Sequence, residues 1–212
     1  MTKHFANPAH LASFLLLGLL SACQSYAPVV ISPEDVRPVE GLYAKHFDAD
    51  LPIESLKQRA DAGDANAQND LGARYGEGDT TQAFKYYSLA AEQGLAIAQC
   101  NLAFMYAKGE ATAKNMDKAV ALYSKCAQQG HFMGEYAIGY MYATGEGLPK
   151  NGPIAEKWFL LAANQGSLMA QRALVHMYEA GDGVAKDSAK AVMWLHRVRD
   201  GQWSGRPWKQ SP

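Results

Sequence analysis

Apolar and polar positions along the chain fall into a long-period register. Ala83, Ala119, Ala155 and Ala191 stand 36 residues apart. The same step links Tyr87, Tyr123, Phe159 and Leu195, and also Tyr86, Leu122, Trp158 and Trp194. Leu71, Leu102, Ile138 and Leu174 form a further column at 31, 36 and 36, and Tyr75, Tyr106, Tyr142 and Tyr178 share that offset. Self-similarity at this period marks an array of supersecondary units. The columns predict four units, with five residues missing from the first.

Within a unit the period is helical. In the third, Ala137, Ile138, Met141 and Tyr142 recur at three and four residues, and Gly145 stands where a left-handed helix end is wanted. This is helix A. After a short loop, Asn151 is placed to cap the next helix and Pro153 suits its first turn. Ala155, Trp158, Phe159 and Ala162 then make the buried face of helix B, which Gly166 ends. Asp79, Asn115, Asn151 and Asp187 repeat the cap in every unit. The missing residues fall between Tyr75 and Asp79, so the first A–B loop is the short one. One such hairpin cannot bury its own apolar face, so neighbours must stack. The predicted body is an all-α solenoid over 51–201, with units at about 66–94, 95–130, 131–166 and 167–201. Leu56–Gly63 reads as the end of a helix B without its partner, capping the front. At the back, Trp203 and Trp208 in the tail 202–212 are expected to cover the last helix.

The segment before the array carries an address. Residues 1–22 have Lys3 at the start, an apolar stretch from Leu11 to Leu20 and small residues after it, as an export signal does. The stretch is shorter than the about 20 residues a bilayer span needs. Leu20-Ser21-Ala22-Cys23 resembles the bacterial lipobox, which implies cleavage before Cys23 and lipid attachment to its thiol. A plain secretory signal ending near a cysteine is the alternative. Several acyl chains on one residue would hold the protein nearly permanently, at about 0.8 kcal/mol for each buried methylene. An Asp after the cysteine would resemble an inner-membrane retention signal, so Gln24 favours the outer membrane, facing the periplasm. Display on the outer surface stays open. Residues 23–50, interrupted by Pro28, Pro33 and Pro38, read as a semi-extended tether.

Charge and composition remove several functions. Lys and Arg number 20 against 21 Asp and Glu, for a net charge of −1, and that near-neutral balance argues against a nucleic-acid surface. Three cysteines are too few for a disulfide-stapled mini-domain or a four-cysteine zinc site.

Three segments, Ala67-Gln68-Asn69-Asp70-Leu71-Gly72, Ala162-Ala163-Asn164-Gln165-Gly166 and the run from Tyr178 to Asp187, resemble the Sel-one-like repeat, an all-helical relative of the tetratricopeptide repeat. The likeness covers roughly residues 56–201. Three departures stand out: the first unit lacks the Gly-Val part of its loop, Ala111 replaces the second loop glycine of the second unit, and Gly134 replaces the early helix A alanine of the third. The resemblance implies a right-handed α-solenoid of four helix-turn-helix units, serving as a curved adaptor for other proteins or peptides in the bacterial envelope. Some cysteine-rich relatives are described as penicillin-binding or β-lactam-hydrolysing, which makes such an enzyme the runner-up. This chain has neither an S-x-x-K nor a Lys-Thr-Gly to activate a serine.

No other catalytic spacing is present: there is no G-x-S-x-G, H-E-x-x-H, C-x-x-C or P-loop. Neither an enzyme nor a cofactor is predicted. His176 and Glu179 lie three apart on a helix, as two metal ligands can, but nothing supplies a third, and His131 and His196 have no better company. Cys100 and Cys126 both fall in the second unit. In the cysteine-rich relatives a cystine joins helices A and B of a unit; here both residues are displaced by one from those columns, a turn of about 100° on a regular helix. A disulfide and two small buried thiols are both open readings.

Specificity is expected from the face of helix A that the core stripe leaves free. With Ala98, Leu102 and Tyr106 as the stripe, positions 100 and 104 point the other way. Their equivalents are Asn69 and Ala73, Tyr136 and Tyr140, and Arg172 and His176. A groove carrying Phe104, Tyr136 and Tyr140 beside a cationic end at Arg172 and His176 would suit another envelope protein or a peptide, since aromatic and Arg side chains are frequent anchors. The opposing reading packs these rings between neighbouring A helices. Lys114, Lys150 and Lys186 recur at 36 as solvated turn residues, or as an edge for an anionic glycan such as peptidoglycan.

Overall fold

The computed structural model describes residues 51–76 and 78–200. The signal segment, Cys23, the tether and the tail with Trp203 and Trp208 lie outside the described residues. Within them the chain forms nine α-helices and no strand: α1 (Ile53–Asp61), α2 (Ala65–Tyr75), α3 (Thr80–Glu92), α4 (Ala96–Lys108), α5 (Met116–Gln128), α6 (Phe132–Thr144), α7 (Gly152–Asn164), α8 (Leu168–Ala180) and α9 (Ser188–Asp200). Each helix packs against the next in sequence. The units are α2–α3, α4–α5, α6–α7 and α8–α9, with α1 stacked in front, so the fold is an all-α repeat solenoid.

Two local devices build every unit. The Oδ1 atoms of Asp79, Asn115, Asn151 and Asp187 accept from the amides of Gln82, Lys118, Ile154 and Lys190 at 3.0, 2.9, 3.1 and 3.0 Å, capping each helix B. The amides of the same four residues donate to the carbonyls of Tyr75, Tyr106, Tyr142 and Tyr178 at 2.8, 2.8, 2.7 and 2.9 Å. This closure is independent of loop length, so the short first loop meets the same frame as the others. Helices α4, α6 and α8 end on left-handed Gly109, Gly145 and Gly181, whereas α2 ends on Gly76 at φ −57°, because the three residues between Tyr75 and Asp79 leave no room for that excursion. Ala111 holds φ +57° where Gly147 and Gly183 stand at +84° and +76°. It is a non-glycine residue in a backbone region that favours glycine.

The interior alternates small residues with rings. A Cβ on Gly72 would lie 2.6 Å from Tyr87, and one on Gly139 would lie 2.8 Å from Phe159. The corresponding positions of the fourth unit hold Val175, packed against the core, and Leu195, which is 47% exposed. Trp158 is fully buried, and its Nε1 is the buried side-chain polar atom left without a hydrogen bond among the described residues.

The turn from one unit to the next uses a shared carbonyl. Ala60, Ala91 and Ala163 accept from the amides of Gly63, Gly94 and Gly166, each at 3.0 Å. They also accept the side-chain amides of Gln68, Gln99 and Gln171, eight residues on, at 3.0, 3.5 and 3.2 Å. Gln93 and Gln129 then donate to Gln68 and Gln99, and Gln165 donates to Glu135 at 2.7 Å. Glu135 stands in the glutamine column and is 1% exposed. Burial pushes its carboxyl up to about 8, partly opposed by the bond from Gln165. Neutral, it has a proton to donate as glutamine does; ionised, it does not.

Two outcomes are expected. Because the folded carboxyl titrates above its unfolded value of 4.5, the stability that Glu135 contributes is complete below that pH and is lost as pH rises through about 8. Glu135→Gln therefore raises Tm by roughly 5 °C at pH 8.5, about 2 kcal/mol, and changes it far less at pH 4.5, measured by calorimetry across pH. Gly134→Ala gains about 1 kcal/mol of helix propensity. Its new Cβ would lie 2.5 Å from the Ala127 nitrogen. Overpacking of about 1–3 kcal/mol dominates, so chemical denaturation shows a net loss.

Candidate functional site

The free face of the A helices is built by α4, α6 and α8. Phe104 on α4 and Tyr140 on α6 are 46% and 45% exposed, unusual for large rings in a folded array. His176, at the same position on α8, is exposed, as is Arg172. The ζ-ammonium of Lys108 stands 5.6 Å from the Phe104 ring centroid. The second member of each expected pair thus reaches solvent. The first member corrects the expectation. Asn69 and Cys100 are buried, Tyr136 is half-buried and only Arg172 is exposed. The physical reason is that helix A is enclosed on more than one side, and this position faces the seam with helix B. Tyr136 lies 5.7 Å from Phe159 on α7 and 6.3 Å from Tyr140, so its ring is part wall and part surface. Asn69 instead accepts a bond from Asn101 of the next unit at 3.1 Å.

Cys100 is joined to Cys126 across α4 and α5, with the Cα atoms 5.8 Å apart and both residues buried. The one-residue displacement from the family columns does not separate them, since both side chains turn into the same seam. His131, which the sequence leaves without a companion, packs at this spot: a ring nitrogen and both sulfurs lie within 4.8 Å of one another. Its Nδ1 accepts the amide of Met133 at 3.2 Å, capping α6, and burial lowers its pKa to about 4. With the sulfurs bonded to each other, the group offers no thiolate. His176 and Glu179 are both exposed on α8, and His196 is exposed on α9.

The loop lysines are engaged with their neighbours. Lys114 Nζ reaches Glu146 at 3.1 Å and Lys150 Nζ reaches Asp182 at 3.3 Å, each linking the end of one loop to the start of the next. Both pairs are half-exposed, so each is worth at most about 1 kcal/mol. Lys186 belongs to the last unit and is exposed.

A cleft of about 200 Å³ opens between the first and second units. Gly76 and Thr80 border it on one side, Asn101, Phe104 and Met105 on the other, with Tyr87 and Glu110 also lining it. Of these the sequence pointed to Phe104 as a binding residue and to Tyr87 only as a core column. A column of acids, Glu110, Glu146 and Asp182, at 36 residues was the available signal for Glu110.

A family model described as Sel1 repeat matches residues 65–95, 96–131, 133–167 and 168–197, the four helix pairs described above. The chain is 35% identical to c5321, a protective antigen present in uropathogenic Escherichia coli strains displaying an SLR fold, with a TM-score of 0.66. That likeness covers 71% of this chain and 33% of the antigen. A Sel1 repeat protein from Oxalobacter formigenes is 28% identical with a TM-score of 0.66, over 70% of this chain and 61% of that one. The chain thus spans about a third and about three fifths of these two relatives. A search of curated proteins gave no match. Proteins built of Sel1 repeats are generally scaffolds for protein interaction and mainly non-enzymatic. With four matched repeats spread over most of its length, this chain belongs to the Sel1 repeat family.

Proposed function

We propose that the protein is a bacterial envelope lipoprotein, held through Cys23 in the outer membrane and facing the periplasm, whose solenoid binds another envelope protein or a peptide along its A helices. The observation that carries the reading is the pair of rings at Phe104 and Tyr140, each nearly half exposed at the same position of successive units. Burying two such rings supplies anchor energy at small entropic cost, because each has only two side-chain torsions to fix. Tyr136 and Arg172 flank them, and His176 continues the row on α8. The lipobox-like segment ending at Cys23 supports the anchor, and the tether of 23–50 supplies reach from the membrane. That the Escherichia coli relative is a protective antigen fits a place in the envelope.

Photo-crosslinking in intact cells, followed by mass spectrometry, tests the groove. Phe104→Ala combined with Tyr140→Ala is expected to reduce partner capture at least about fivefold. Melting should stay within about 3 °C of the parent, since neither ring is buried. Undiminished capture rejects the groove. Cys23→Ser is expected to move the protein from the membrane pellet to the soluble periplasmic fraction, and unchanged sedimentation rejects the anchor.

A further inference from the structure

The first A–B loop is short, and the loss has a consequence at the next junction. In the second and third loops the final lysine bridges to the acid that opens the following loop, as Lys114 does to Glu146 and Lys150 to Asp182. Glu110 is the acid of the second loop, and the residue 36 before Lys114 is Gly78, which has no side chain. Among the described residues no cation pairs with Glu110, whose side chain is exposed. At this same junction lies the cleft of about 200 Å³, which Glu110 lines together with Tyr87, Phe104 and Met105. Pockets for whole small molecules are usually about 300–1,000 Å³, so this one is sized for a single side chain.

We infer that the cleft receives a lysine or arginine side chain of a partner polypeptide, with its alkyl stem against Tyr87, Phe104 and Met105 and its cationic head at Glu110. The partner then supplies the cation that the chain's own loop supplies at the next two junctions. Long basic side chains bury their stems along apolar surface and keep their heads wet, as a cleft lined in part by Glu110 requires. The Lys108 ammonium stands 5.6 Å from the Phe104 ring centroid, so the incoming head is assigned to Glu110 and only its stem to the ring. The assignment rests on the polypeptide-binding reading above and names the chemistry of one contact within it.

The test is an array of random peptides probed with the full-length protein and its Glu110→Gln variant. Peptides bound by the parent are expected to carry Lys or Arg. Exchanging that residue for norleucine should weaken parent binding about threefold and the variant's by less than half that factor, the size expected of an exposed ion pair. Bound peptides with no need for a basic residue, or equal sensitivity in the two proteins, overturn the basic-residue site while peptide binding stands. An array that binds nothing overturns both. Carbodiimide coupling of the isolated full chain covers the remaining occupant: Glu110 joined to Lys45 or Lys209 of the same chain overturns the assignment to a partner.

Discussion

The carbonyl at the end of each helix B is the constraint on which the stack depends. The last carbonyls of a helix have no partner within it, and a buried carbonyl left unbonded costs about 1–3 kcal/mol. Here the glycine amide of the turn covers one direction, and a glutamine from the following unit covers another, as at Ala60, Ala91 and Ala163. A unit therefore cannot complete its own end. The bond also ties the start of the next helix A to the end of the last helix B at α2, α4 and α8. Glu135 enters this arrangement as the one acid among glutamines, and its behaviour follows from where it sits.

Much of this fold was legible in the sequence because its cause is periodic. The caps at Asp79, Asn115, Asn151 and Asp187 sit where the columns place them, and the shortened step from Tyr75 to Asp79 becomes the short loop. The free face was only partly legible. A helical wheel gives angles relative to one stripe, but the angular width of the buried sector depends on how many neighbours enclose the helix. That number is set by packing, and it took Asn69 and Cys100 inside while leaving Phe104 and Tyr140 out. The cross-loop pairs were hidden for a related reason. Lys114 and Glu146 are 32 residues apart, joining different columns of the repeat, so a search at one period passes over them.

His131 shows the same limit at a single residue. It reads as an isolated imidazole near a glycine, yet it caps α6 through Nδ1 and is buried against the cystine seam. Which way the chain turns after Gly130 decides this, and composition around the residue carries no trace of it. The rings of the core were easier to read than to balance: Trp158 supplies volume beside Gly139 but leaves its indole N–H without an acceptor. Shape is favoured there over polar satisfaction, consistent with a position whose role is filling space.

The apolar interior is not equally continuous along the array. One large cluster runs from Ala96 to Trp194 through the last three units, while Leu56, Ala60, Ala67 and Leu71 form a separate small one, and a third joins Ala90 and Ala91 to Ala98 and Leu102. The last three units thus share one continuous interior, and the first unit joins them through the third cluster. Loosening the first unit would leave the cluster from Ala96 to Trp194 whole, because none of its buried members comes from α1, α2 or α3.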